Sequence, residues 1–288
     1  MRPTWIEIDL GAIRDNVAAI AAAVAPAEVC AVVKADGYGH GDVPVAEAAR
    51  EGGARWLAVA LVAEGARLRE AGVQGPILLL SEPFPEEISE IVRWELTPTV
   101  YRESFVEALA GAAPAGYPVH LKVDTGMHRV GSTPEAAGRI AALVDRVGLR
   151  LEGVWTHFAV SEEDPAYTAE QTARLLGFVG ALGSPAARLD MVRAGIGIYG
   201  LRPAPGFAPE VPLRPAMRVV SHVSFVQRLA AGECPSYGRV RPLPAEATVA
   251  TVPIGYADGV PRRLREAGGE VLIRGRRYPF AGTVTMDQ

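Results

Sequence analysis

The chain has 288 residues, 49% of them apolar and 22% charged, with a formal net charge of -4 and no run of like charge. That balance belongs to a globular protein and argues against a nucleic-acid or membrane-surface role. No apolar stretch approaches bilayer-spanning length. The opening MRPTWIEIDLG meets acidic residues at once, so no secretory leader is expected. Cys30 and Cys234 suit no metal-ligand spacing. They are expected to be reduced thiols of a cytoplasmic protein, and no metal site is expected.

In chain order, short apolar runs predict strands over 29–33, 56–60, 77–80, 96–100, 119–123, 151–157 and 191–199. Between most of them lie Ala-, Glu- and Arg-rich stretches of helical spacing, such as 43–52 and 63–71. Thr133 and Pro134 open another helix as N-cap and first residue. Strands alternating with helices imply parallel pairing, and repetition on this scale favours a (β/α)8 TIM-like barrel. An open doubly wound sheet is the weaker alternative, because no G-x-G-x-x-G opens a helix after the first strand. Prolines then cluster in RPAPGFAPEVPLRPAM, which reads as a linker. Strands are expected over 219–229, 247–252, 271–273 and 278–284, the start of a β-rich second domain. The expected division is a barrel over 1–212 and a partial β-domain over 213–288.

Of 29 basic residues only Lys34 and Lys122 are lysines. Lys34 ends the first barrel strand, in VVKADGYGHG. Reactive groups of such barrels gather at the carboxyl ends of the strands, and a lysine there can condense with a carbonyl. A lone strand-end lysine reaching solvent is the plainer alternative. Gly37, Gly39 and Gly41 permit unusual backbone angles beside it, and Tyr38 adds a hydroxyl. HLKVDTGMHRVG brings Lys122, Asp124, His128 and Arg129 to the same face. The plainer reading there is a surface loop with an Asp124–Arg129 ion pair. His157 ends the sixth strand in WTHFA. Arg193, in MVRAGIGIYG, is a charge within an apolar strand and demands a partner. Gly195 and Ile196 begin a loop whose backbone N–H groups can hold a phosphate. Tyr237 and Tyr256 sit in turns, in PSYGR and PIGYADG.

VVKADGYGHG, HLKVDTGMHRVG, THFA, DMVRAGIGIYG, SYGR, PIGYADG and AGTVTMDQ, in that order, resemble alanine racemase, a pyridoxal-phosphate enzyme family. The match runs through the whole chain. The resemblance implies interconversion of L- and D-alanine by two bases, supplying D-alanine for peptidoglycan. It implies that Lys34 holds pyridoxal 5'-phosphate as an internal aldimine and serves the D-alanine face. Tyr237, from the other subunit of a homodimer, serves the L-alanine face. Arg193 donates to the pyridine nitrogen, and His157 supports it. Arg129 meets the phenolic oxygen and the substrate carboxylate. Lys122 is the carbamylated lysine that props Arg129. Tyr38, Gly195 and Ile196 face the phosphate, while Tyr256 and Met286 line the substrate side. A racemase of other or broad specificity, and a pyridoxal-phosphate-binding protein without turnover, are the alternatives.

The sequence also departs from the family. The Asn-Ser-Ala motif of the seventh barrel strand is absent: the only asparagine is Asn16, and the helix predicted over 165–182 runs almost directly into GSPAARLDMVR. Ser184 is the one candidate remnant of the phosphate-binding serine. The family's β-domain also continues past Met-Asp-Gln. Losing an inner strand exposes two sheet edges. The expectation is therefore an incomplete piece of such a protein rather than a natural short form.

Overall fold

A computed structural model describes residues 3–181 and 189–288. Ser184 lies outside the described residues. Contacts divide the chain into two units, Ile8–Ala216 and Met1–Glu7 with Met217–Gln288. The expected boundaries, 1–212 and 213–288, differ from this division at both places. Strand β1 (Thr4–Ile8), which was not expected from the sequence, belongs to the second unit because it pairs with Met217–Ser221.

The larger unit alternates strand and helix. After helix α1 (Leu10–Val24) come β2 (Glu28–Val32), α2 (Asp42–Glu51), β3 (Trp56–Val59), α3 (Val62–Glu70) and β4 (Ile77–Leu79). Then follow α4 (Ile88–Arg93), β5 (Thr99–Val100), α5 (Glu103–Ala110), β6 (Pro118–Lys122), α6 (Pro134–Arg146), β7 (Arg150–Trp155), α7 (Pro165–Ala181) and β8 (Met191–Ala194). Thr133 caps α6 as the sequence implies, its hydroxyl accepting the Ala136 N–H at 3.3 Å.

Two parallel ladders run in the orders β4-β3-β2-β8 and β5-β6-β7. A parallel bridge between Leu78 and Thr97 links them. Seven parallel strands are thus present among the described residues, with β8 beside β2 at one margin and β7 at the other. The expected strand 191–199 ends at Ala194 and turns into a 3-10 turn, Ile196–Tyr199, because Gly195 takes φ -97 and ψ -107, outside the strand region.

Side-chain alternation separates two layers. Ala31, Val33, Leu57, Val59, Ile77, Leu79, Val119 and Leu121 join the helices in one continuous core. The opposite faces place Cys30, Val32, Ala58 and Leu78 in a second cluster, with Trp56, Leu80 and Met191 packed against it. The series Cys30, Val32, Lys34 continues that inner face, as do His120 and Lys122 on β6, and Met191 and Arg193 on β8.

The prolines of the expected linker are wound around one side chain. The Arg202 guanidinium donates to the carbonyls of Phe207 (2.9 Å), Ala208 and Val211 (2.7 Å). The second unit contains β9 (Met217–Ser221), β10 (Phe225–Leu229), β11 (Ala247–Thr251), β12 (Glu270–Ile273) and β13 (Arg276–Pro279). The apolar run 219–229 is two strands, and β10 pairs antiparallel with β11 and β12 with β13. The expected strand 278–284 extends only to Pro279. Its remainder lies against the turns at Ser236 and Gly255, whose hydrogen bonds replace a ladder.

Candidate active site

Lys34 follows the end of β2 by two residues and opens a rare piece of backbone. Ala35, Asp36, Gly37 and Tyr38 all have φ between 52° and 58°, a full left-handed turn. For residues other than glycine this costs about 1–2 kcal/mol each, so the surroundings must impose it. Three carboxylates do so. Glu64, buried at the start of α3, accepts the N–H groups of Ala35 (2.6 Å), Ala60 (2.8 Å) and Leu61 (3.0 Å). Asp36 accepts the Asp42 N–H at 3.2 Å, and buried Asp42 accepts the Arg67 Nε–H at 2.7 Å. Gly37 is needed where it stands: a Cβ there would lie 3.3 Å from the Asp42 backbone and from Val45.

The HLKVDTGMHRVG segment forms a tight turn, and Asp124 organises it. Its Oδ1 accepts the N–H groups of Gly126, Met127 and His128, each at 3.0 Å, and Oδ2 lies 3.3 Å from His128 Nδ1. An Asp124–Arg129 ion pair was the plain reading of this segment. Asp124 pairs with His128 and the turn's own backbone instead. Among the described residues, no acceptor lies within hydrogen-bond distance of the Arg129 guanidinium or of the Lys34 ammonium.

The inner face holds more positive charge. Lys122 is buried, and its ammonium lies 4.6 Å from the centre of the Trp155 ring. Arg193 lies over the same ring at 3.9 Å and donates to the Thr156 carbonyl. Among the described residues, this half-buried charge thus has an aromatic face and one carbonyl as its partners. Burial lowers Arg193 to about 10, which leaves it cationic at neutral pH. Burial first, then Arg129 and Arg193, lowers Lys122 to about 8, with Asp124 opposing. His157 is exposed. Desolvation, followed by Arg193, Arg129, Lys122 and Lys34, nevertheless holds it down to about 4. These mutual effects show that Lys34, Lys122, Arg129, His157 and Arg193 share one electrostatic neighbourhood. Two lysines, two arginines and a histidine crowd together here, and Asp124 is the acid that acts on Lys122. Such a cluster calls for anions.

Tyr38 and Gly195 also meet at this end of the sheet: a Cβ on Gly195 would stand 3.1 Å from the Tyr38 hydroxyl. Ile196 follows, partly exposed. The smaller unit brings its own three candidates into one neighbourhood. Tyr237 is 73% exposed, and its carbonyl accepts the Thr283 hydroxyl at 3.0 Å. Two residues on, the Thr285 carbonyl accepts the Tyr256 N–H at 2.9 Å, and the Met286 carbonyl accepts the Ala257 N–H at 3.1 Å. Gly282 and Gly255 permit these approaches, since a Cβ at either would lie 2.4 Å or less from a backbone oxygen.

The sequence reading missed Glu64, Trp155 and Tyr199. Trp155 stands next to two quoted site residues, and its parity with His157 was the available signal. Glu64 carried none, because its partners lie up to 29 residues away.

Fold and site together define an α/β-barrel protein with a cation-lined mouth at the carboxyl ends of its strands, joined to a β-rich unit. The sequence model described as "Alanine racemase, N-terminal domain" matches residues 8–203, and that described as "Alanine racemase, C-terminal domain" matches 216–288. The chain belongs to the alanine racemase family. The alanine racemase of Symbiobacterium thermophilum is 42% identical, over the whole of this chain and 82% of the relative. That of Geobacillus stearothermophilus is 39% identical, over the whole of this chain and 80% of the relative. Among solved structures, alanine racemase from E. faecalis superposes with a TM-score of 0.89 at 38% identity, covering 99% of this chain and 83% of that one. Biosynthetic alanine racemase from Pseudomonas aeruginosa gives 0.86 at 33%, covering 100% and 85%. The alignment with the Symbiobacterium protein is 312 positions long against 288 residues here, so that relative carries residues within it that this chain lacks.

Proposed function

We propose that the chain interconverts L-alanine and D-alanine with pyridoxal 5'-phosphate, supplying D-alanine for peptidoglycan. The observation that carries this is the convergence of Lys34, Lys122, Arg129, His157 and Arg193 on one electrostatic neighbourhood, in a chain about 40% identical to alanine racemases. The residues present fit the cofactor. It is an anion with a carbonyl, and the cluster offers excess positive charge, a lysine amine and an arginine free of carboxylate partners. When bound, pyridoxal phosphate supplies an electron sink for a carbanion.

Racemisation takes the α-proton from one face and returns it on the other, so it needs two bases. Lys34 serves the D-alanine face and holds the cofactor. Tyr237 serves the L-alanine face. Its 73% exposure suits a group offered to the partner subunit of a homodimer. The reading divides the labour between a barrel that binds the cofactor and a β-domain that supplies the second base. Arg193, cationic near neutrality, would hold the cofactor's ring nitrogen without giving up its proton, which would restrain side reactions such as transamination. His157 stands beside Arg193 and is neutral above about pH 4, so it adds no further charge.

Arg129, with no acceptor among the described residues, would hold the cofactor's phenolic oxygen and the substrate carboxylate. Tyr38 and the backbone of Gly195 and Ile196 hold the phosphate, and Tyr256 and Met286 shape the alanine side. Lys122 titrates near 8, so a minor fraction of it is the neutral amine that attacks CO2. Attack of the neutral amine on CO2 forms the N–C bond and releases one proton, two counted from the ammonium, and leaves beside Arg129 an anion that props it. No helix among the described residues is long and apolar enough to cross a membrane. The buried thiol of Cys30, pushed up to about 12 by burial, suits the reducing cytoplasm.

The test is borohydride reduction after incubation with pyridoxal phosphate, with the labelled peptide mapped by mass. Label on Lys34, lost in Lys34→Ala, together with D-alanine formed from L-alanine, is the expected result. Equal label on Lys34, Lys122 and the N-terminal amine would overturn the assignment.

A further inference from the structure

Tyr199 is 1% exposed, and its hydroxyl donates to the Val32 carbonyl at 2.9 Å. The strand pairing explains why that carbonyl needs a donor. β2 and β8 pair only as far as Ala31 and Ala194, after which the chain leaves the sheet at Gly195. The Val33 N–H turns toward β3 and donates to Ala58. Alternation along the strand therefore turns the Val32 carbonyl toward the side β8 has just vacated. The Tyr199 hydroxyl takes the place of the strand donor there, two residues before Lys34.

The same ring lies 4.8 Å from that of Tyr38 and 4.6 Å from that of His40, so it also packs under the left-handed turn. Asn16 braces the 3-10 turn from α1. Its side chain is fully buried and donates to the carbonyls of Ile198 (3.1 Å) and Arg214 (2.8 Å), while its oxygen accepts the Arg214 N–H at 2.8 Å. One rigid turn therefore carries Gly195 and Ile196 at its start and, at its end, the ring that fixes the lysine strand.

The geometry points to Tyr199 as a positioning residue that sets the span between Lys34 and the Gly195–Ile196 turn, with Asn16 holding that turn in register. On the reading that Lys34 takes the carbonyl end of the cofactor and Gly195–Ile196 its phosphate end, this span is what one small rigid ligand must bridge. A ligand with both ends senses the span, and a ligand with the aldehyde alone does not.

The experiment compares borohydride-trapped label on Lys34 after incubation with pyridoxal phosphate and with pyridoxal, which lacks the phosphate. The expected result for Tyr199→Phe is a fall of about fivefold or more in the ratio of the two, equivalent to about 1 kcal/mol or more of lost discrimination. Tyr117→Phe is the control. That tyrosine is also buried, with its hydroxyl 2.9 Å from the carbonyls of Ile91 and Leu96. Its loss is expected to lower thermal stability and leave the ratio unchanged. Asn16→Ser carries the same expectation as Tyr199→Phe and decides the matter if the latter does not fold. Normal labelling of Lys34 with an unaltered ratio in Tyr199→Phe or Asn16→Ser overturns the span. So does an equal fall in Tyr117→Phe. Failure of wild-type Lys34 to be labelled at all overturns the cofactor reading and the span with it.

Discussion

The guanidinium carbon of Arg193 lies 3.9 Å from the centre of the Trp155 ring. A cation on the inner face of a parallel sheet is thereby held by an aromatic face where an acid would have neutralised it. The ring also faces Lys122 at 4.6 Å, so one side chain supports two charges. Trp155→Leu removes both contacts and leaves space. It is expected to cost about 2–4 kcal/mol in denaturant unfolding. A change below the error of the measurement would mean that the ring bears no such weight.

Lys122 is held near 8 by burial and by Arg129 and Arg193. Competitive acetylation followed by mass spectrometry should show Lys122 titrating near 8, well below the ordinary lysine value of 10.5. Arg129→Gln removes one of those two cations and should move that midpoint upward. An ordinary value in the wild type would remove the basis for modification at this site.

Glu64 accepts three backbone N–H groups, one of them from Ala35 in the left-handed turn. Glu64→Gln turns a charged acceptor into an amide with one acceptor and one donor. The expected cost is about 1–3 kcal/mol, the range for losing charge-assisted bonds to buried groups. Lys34 trapping should fall with it, because the turn that carries the lysine loses its template. Unchanged stability and trapping would show that the turn holds itself.

His157 titrates near 4 in the folded chain and near 6.5 when unfolded. Between those values the unfolded chain binds more protons, so stability rises with pH across the window and is lost as pH falls through it. His157→Gln should flatten the stability curve between pH 4 and 6.5. An identical slope in the variant would place the effect elsewhere.

Tyr237→Phe should slow exchange of the α-proton of L-alanine more than that of D-alanine, read by solvent isotope incorporation. Equal slowing of both would remove Tyr237 as a base for one face.

The repeating strand and helix signals, the lysine at the end of β2 and the ordered motifs were all legible from the chain alone. Each rests on neighbours within a few residues or on a fixed period, and local patterns survive without a fold. The sequence could not say that the stretch after Lys34 runs left-handed, because Glu64 imposes that from another helix. It could not say that Asp124 holds its own turn and pairs with His128 rather than with Arg129, since both partners were near in sequence. Nor could it join residue 4 to residue 221 through β1 and β9, or place Tyr199 under Val32. Those contacts link residues separated by 167 positions or more. Burial and hydrogen-bond satisfaction select them only when the whole chain is packed, which is why the residues were named by the sequence and their positions were decided by the tertiary structure.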